Sequence, residues 1–178
     1  GVAACVTSFA YGLYGLNAAQ ATQMDPVLRL LYTVSSEAMH RVGVRSASQL
    51  GEHEVGTYVG ATRMVRAGTA EPSIGGPVEE SALASRLASA LRLRGPVVDV
   101  DTSYTSGMAG LQEACRALEE GSPLFNLAAS AFAVTLPFVD TLDHCGVLCE
   151  IQQPAPFSRK GLLPCDGGAA IVVATFDR

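Results

Sequence analysis

The residues best suited to chemistry are few and scattered. The densest run of hydroxyls is Thr102-Ser103-Tyr104-Thr105-Ser106, which closes on Gly107. Its phenol is a weak nucleophile at neutral pH, since a phenol titrates near about 10 and a free thiol near about 8.5. Five cysteines and three histidines complete the set. Cys145 and Cys149, with His144 beside them, have the makings of a metal site, but two spaced cysteines and one histidine lack a second ligand pair. Buried structural thiols are expected there, and no metal. Cys115 sits about three turns into a helix, where apolar packing raises a thiol's pKa, and it reads as core. His40 reads as a helix-face residue, His53 as a solvent-facing loop residue and His144 as a partly buried helix end. None is paired in sequence with a carboxylate or a nucleophile, so none reads as catalytic.

The hydroxyl run needs elements on either side to hold it. Val97 to Asp101 is a short β-branched strand after Pro96, and the residues beyond Gly107 carry helical spacing to about Gly121. The run is therefore a tight turn between a strand and a helix. Upstream, Asp25-Pro26 provides a cap and a first-turn proline for a helix carrying Val27, Leu30, Leu31, Val34, Ala38 and Val42, with Gly43 as its stop. Val55 to Gly60 reads as a buried strand, Arg66 to Pro77 as a loop and Glu79 to Leu93 as a second amphipathic helix. A strand over Leu124 to Phe132, a helix over Leu136 to Asp143 and a last strand over Ala169 to Phe176 follow. Strands alternating with helices predict an α/β fold, a sheet layered with helices. With 178 residues, no internal repeat and no long linker, residues 1–178 read as a single domain.

Composition narrows the function classes. A net charge of −5 without a cluster of basic residues disfavours nucleic acid. Mean hydropathy is +0.27, yet every apolar run meets Pro, Gly or charge before the ~18 residues that a membrane span needs. The odd cysteine count predicts reduced thiols and a soluble protein of a reducing compartment, cytoplasm or organelle stroma. The opening Gly1-Val2-Ala3-Ala4-Cys5 lacks a signal-peptide pattern and reads as an internal or processed start.

Gly95-Pro96 through Asp101-Thr102-Ser103-Tyr104-Thr105-Ser106-Gly107-Met108, continuing to Leu111, Ala114 and Cys115, resembles the active-site elbow of the β-ketoacyl synthase (ketosynthase) family, whose fold is thiolase-like. Met24-Asp25-Pro26 with Arg29-Leu30-Leu31, Val55-Gly56 with Val59-Gly60, Phe157 to Leu162 and Gly167 to Val173 resemble further family stretches in the same order. The resemblance covers nearly the whole chain. It implies the N-terminal half of a thiolase-like α/β domain, with a mixed sheet layered by helices. It also places Tyr104 where the family carries the cysteine that accepts an acyl group before decarboxylative Claisen condensation. The family's histidine motifs, of the His-Gly-Thr-Gly-Thr and Asn-x-Gly-His types, have no match among the residues here.

On that resemblance the chain is expected to be a catalytically inactive structural or interaction subunit. The alternative is a fragment or non-elongating partner of a polyketide or fatty-acid synthase. Tyr104, Thr105 and Ser106 become substrate-tunnel candidates, with the Tyr104 ring favoured as a plug of the vacated tunnel over a hydrogen-bond donor to some ligand. An acyl chain or similar hydrophobe bound at the elbow is permitted by the apolar composition but not selected by it. Val97, Val98, Asp99, Val100 and Asp101 become dimer-edge candidates. The implied partner is a protein covering the face of the missing half, in a homodimer or a larger complex, with an acyl carrier protein as one candidate. No cofactor is implied.

Overall fold

The computed structural model describes residues 9–50, 54–61, 83–121, 123, 125–134, 136–148 and 165–175. Helix α1 spans Ala18–Gln23 and α2 Pro26–Arg41; strand β1 spans Val55–Gly60, α3 Leu83–Leu91, β2 Val97–Val100, α4 Ser106–Glu119, β3 Phe125–Phe132, α5 Leu136–His144 and β4 Gly167–Ala174. Short 3-10 turns cover Tyr11–Tyr14 and Ala47–Leu50. The Arg66 to Pro77 loop, His53, Cys149 and the Phe157 to Leu162 stretch lie outside the described residues.

The sheet order is β2-β1-β3-β4, with β1 parallel to β2 and β3, and β4 antiparallel to β3. The sheet is mixed, as the resemblance implied. Alternate strand residues face opposite layers. Val55, Val59, Leu127, Ala129 and Ala131 point to the α2/α3 side and join Leu28, Leu31, Leu83 and Leu87 in the main core. Tyr58, Val98, Ala128 and Val173 point to the other side, where α4 packs on them with Leu111, Ala114 and Ala117. The described residues thus form three layers, helix on sheet on helix, and among them α4 is the helix of the second outer layer.

Local chemistry explains the main elements. Asp25 Oδ1 accepts the N–H of Val27 at 2.8 Å and Pro26 sets the first turn of α2. Past the C-terminal end of that helix, Gly43 adopts φ 88°, the left-handed conformation glycine takes without penalty. Asn17 and Gln20 form a capping box on α1. Phe9 stacks on Tyr14 with ring centroids 5.3 Å apart, and Tyr14 packs tilted against Tyr32 of α2 at 4.9 Å. The Tyr32 hydroxyl donates to the carbonyl of Arg86 at 3.1 Å, tying α2 to α3. On the other face, buried Asn126 donates from Nδ2 to the Ala114 carbonyl at 2.7 Å and fastens α4 to β3.

Among the boundaries that differ from the sequence expectation, three have a plain local cause. α3 stops at Leu91, before Leu93, because Arg92 turns left-handed at φ 55°. β2 ends at Val100, since the Asp101 carboxylate is drawn into the turn that follows. β4 starts two residues early, at Gly167, where pairing with Phe132 continues the ladder.

Candidate functional site

The strand-turn-helix predicted around Tyr104 is present, and a compact polar network shapes it. Asp101 Oδ1 accepts the N–H of Ser103 at 2.9 Å, which closes a tight turn. Ser103 adopts φ 62°, a conformation uncommon for a residue with a Cβ. Ser106 is 3% exposed; its Oγ accepts the N–H of Thr102 at 2.9 Å and donates to the Ser103 carbonyl at 2.6 Å, with Asp101 Oδ1 at 3.3 Å. Thr105 Oγ1 donates to the Thr102 carbonyl at 2.9 Å.

Glycines let this turn lie directly on the sheet. A Cβ at Gly60 would fall 2.0 Å from the Ser106 carbonyl oxygen, and one at Gly107 would fall 2.8 Å from Ser130 Oγ. A Cβ at Gly110 would come within 3.2 Å of the Gly60 nitrogen. The first turn of α4 is thereby pressed against the ends of β1 and β3. Such a helix N-terminus offers unpaired N–H groups and the positive end of the helix dipole to whatever group precedes it.

The group that precedes it is Tyr104, with 70% of its surface exposed. Met108, one turn on, is 71% exposed. Thr102, Thr105, Met108, Ala109, Leu111 and Gln112 line a shallow depression of about 420 Å³ on this face. Among the three tunnel candidates, Thr105 lines the depression, Tyr104 stands exposed next to it in the turn, and Ser106 lies inside the turn. Sequence reasoning passed over Gly107, Gly110 and the turn-forming role of Asp101. Their signal was a pair of glycines at helical i, i+3 spacing immediately after a strand and an acidic residue.

Four of the five dimer-edge candidates, Val97 to Val100, form the outer strand β2, and Asp101 lies in the turn after it. β2 pairs only with β1 among the described residues, so its other edge is open. Val97 is exposed, and Val98 faces α4. The Asp99 carboxylate accepts the N–H of Ala84 at 3.0 Å and caps the N-terminus of α3.

Three expectations about reactive side chains require correction. Cys115 is exposed on α4 and not packed in the core, because α4 buries only Ser106, Gly110, Ala114 and Leu118 and Cys115 falls off that stripe. Cys145 is likewise exposed, just beyond the end of α5. His144 is exposed too, its Nδ1 2.7 Å from the Asp140 carbonyl. His40 is exposed on α2, as its helix-face reading anticipated. Among the described residues no three potential ligands gather into a metal-binding group. No helix of these residues is long and apolar enough to cross a membrane.

This fold and elbow define a thiolase-like ketosynthase half-domain. Residues 1–177 match the family described as Beta-ketoacyl synthase, N-terminal domain, and the chain belongs to that family. The spectinabilin polyketide synthase system protein NorB of Streptomyces orinoci is 34% identical over 171 residues, covering 93% of this chain and 7% of that protein. Erythronolide synthase EryA2 of Saccharopolyspora erythraea is 28% identical over 179 residues, covering 94% of this chain and 5% of that protein. The chain thus spans a small fraction of these relatives. In structure it is similar to the oxazolomycin ketosynthase domain OzmH KS7 of Streptomyces albus JA3453, with TM-score 0.80 and 21% identity over 94% of this chain and 31% of that one. It is also similar to the ketosynthase from module 6 of the bacillaene synthase of Bacillus subtilis 168, with TM-score 0.78 and 22% identity over 96% and 30%. At these identities the structural likeness speaks to the fold alone.

Proposed function

We infer that residues 1–178 form one ketosynthase-like N-terminal half-domain that works as a noncatalytic structural or interaction component of a larger assembly. The observation that carries this reading is Tyr104 at the elbow. A ketosynthase must first take an acyl group onto a nucleophile. The α4 N-terminus would lower the pKa of a cysteine there, whereas a phenol begins near 10 and is far less nucleophilic. The neighbouring hydroxyls are poor substitutes. Ser106 is buried in the turn's network, and Thr105 is bonded to Thr102.

Intact-mass spectrometry after incubation with a small acyl thioester tests this directly. The native chain is expected to gain no acyl mass, and Tyr104→Cys to gain one acyl group. An acyl ester on native Tyr104 would overturn the assignment.

The apolar surface supports the interaction role. Met108 on α4 and Tyr104 in the turn before it are exposed, Ile171 of β4 is exposed too, and among the described residues β2 has a partner strand on one edge alone. Exposed apolar side chains and an unpaired strand edge are features of docking surfaces. The reading places a second copy or a neighbouring domain there, an acyl carrier protein being one candidate.

A second reading is favoured by the relatives, which are polyketide synthases of which the chain covers only a small part. In it, the chain belongs to a non-elongating ketosynthase within a longer synthase. Reading the transcript past Arg178 separates the two: in-frame histidine motifs or a carrier segment favour the second, a stop codon the first.

A further inference from the structure

We propose that a groove at the C-terminal ends of α2 and α3 is a docking site for an acidic amphipathic segment of a partner polypeptide. The groove encloses about 560 Å³, within the range of roughly 300–1,000 Å³ typical of binding clefts. Leu13, Val44, Leu91 and Leu93 supply apolar wall, while His40, Arg45 and Arg92 bring basic groups to it. None of the described lining residues is acidic, in a chain whose net charge is −5. Neither Arg45 nor Arg92 is ion-paired among the described residues, whereas the nearby Arg41 is held by Glu37 at 2.5 Å.

The ordinary explanation for basic groups here is that cations complement helix C-termini. It accounts for His40 and Arg41, in the last turn of α2. It leaves the backbone of Arg92 unexplained. That residue holds φ 55°, a left-handed position after a helix that glycine normally fills and that disfavours any side chain with a Cβ. An unfavourable conformation that sets a guanidinium at the lip of an apolar groove points from strain toward function. Leu13, 74% exposed, forms another part of the rim.

The occupant follows from this combination. Apolar wall takes leucine-like side chains, and the arginines take carboxylates flanking them, the pattern of an amphipathic helix laid in a groove. Nucleic acid would leave the apolar wall unused, and a membrane surface would require protruding groups where the cleft is concave. The site lies on the α2/α3 layer, opposite the layer that holds α4, and is independent of the role inferred for Tyr104.

The test is fluorescence anisotropy of the 178-residue chain with a labelled helical peptide carrying Leu on one face and Glu beside it, compared with its Lys-for-Glu counterpart. The Glu peptide is expected to bind and to weaken as salt is added. Arg92→Gly and Arg45→Ala are each expected to weaken it by about two- to fivefold, the scale of an exposed ion pair. Arg92→Gly relieves the backbone, so its melting temperature is expected to stay level or rise, which separates lost binding from lost folding. No binding of the Glu peptide, equal binding of the two peptides, unchanged affinity in Arg92→Gly, or uptake by phosphatidylserine vesicles in preference to the peptide would each overturn the proposal.

Discussion

Gly60 and Ser106 decide whether the elbow exists. The gap between them has no room for a methyl group, since a Cβ on Gly60 would sit 2.0 Å from a carbonyl oxygen that belongs to the first turn of α4. Gly60→Ala is expected to cost about 3 kcal/mol, the upper range for overpacking, read as a lowered denaturant midpoint. Ser106→Ala removes the acceptor of the Thr102 N–H and is expected to cost about 2 kcal/mol by the same measurement. Residue types around Tyr104 were legible in the sequence because turn chemistry is local: Asp, Ser, Thr and Gly in a short run between a strand and a helix announce a turn. The fate of single cysteines was not. Cys115 lies on a helix whose buried face is one glycine- and alanine-rich stripe, and a cysteine beside such a stripe is exposed or buried according to what stands opposite.

At the level of elements, the aromatic cluster between the first 3-10 turn and α2 makes the fold sensitive to alkali. Tyr14 donates to the Tyr32 carbonyl at 3.0 Å and lies 2.7 Å from Ser36 Oγ. Burial raises the pKa of Tyr14 above its ordinary value near 10, the Ser36 hydrogen bond partly offsetting it. Burial likewise raises Tyr32, and it raises Tyr58 together with the nearby charges of Glu113 and Glu120. Because the folded-state values exceed the unfolded one, this stabilisation is complete below about pH 10 and is lost as the pH rises through the folded values. Melting temperatures followed by circular dichroism are expected to hold level up to that point and to fall above it. Tyr14→Phe should lower the melting temperature at neutral pH, by a hydrogen-bond term of about 1 kcal/mol, and make the alkaline decline shallower. Element types were readable from periodicity, and α2 from its Asp-Pro start and Gly stop. The two ends of α3 were not, because each is set by a residue far away or out of its usual conformation: Asp99 caps α3 from β2, and Arg92 ends α3 by turning left-handed.

Among the described residues the two faces of the sheet are unequally covered. α2 and α3 bury one side, while α4 packs on the other and Ile171 of β4 is 49% exposed. Light scattering coupled to size exclusion is expected to show a dimer or larger species, and Val97→Lys on the open edge of β2 to shift it toward monomer, since lysine blunts a strand edge. A monodisperse native monomer that binds no hydrophobic dye would defeat this expectation. By itself the sequence determined the alternation of strands and helices, the turn that carries Tyr104 and the family resemblance, all of which rest on short-range patterns of apolar spacing, capping and turn residues. Only the tertiary structure decided the order β2-β1-β3-β4, the outer position of β2 among the described strands, the outward turn of Cys115 and the basic groove. These depend on which distant segments meet. Leu13, Arg45 and Arg92 share one cleft only because three distant chain segments meet at the C-terminal ends of α2 and α3, and no local period in the sequence records that meeting.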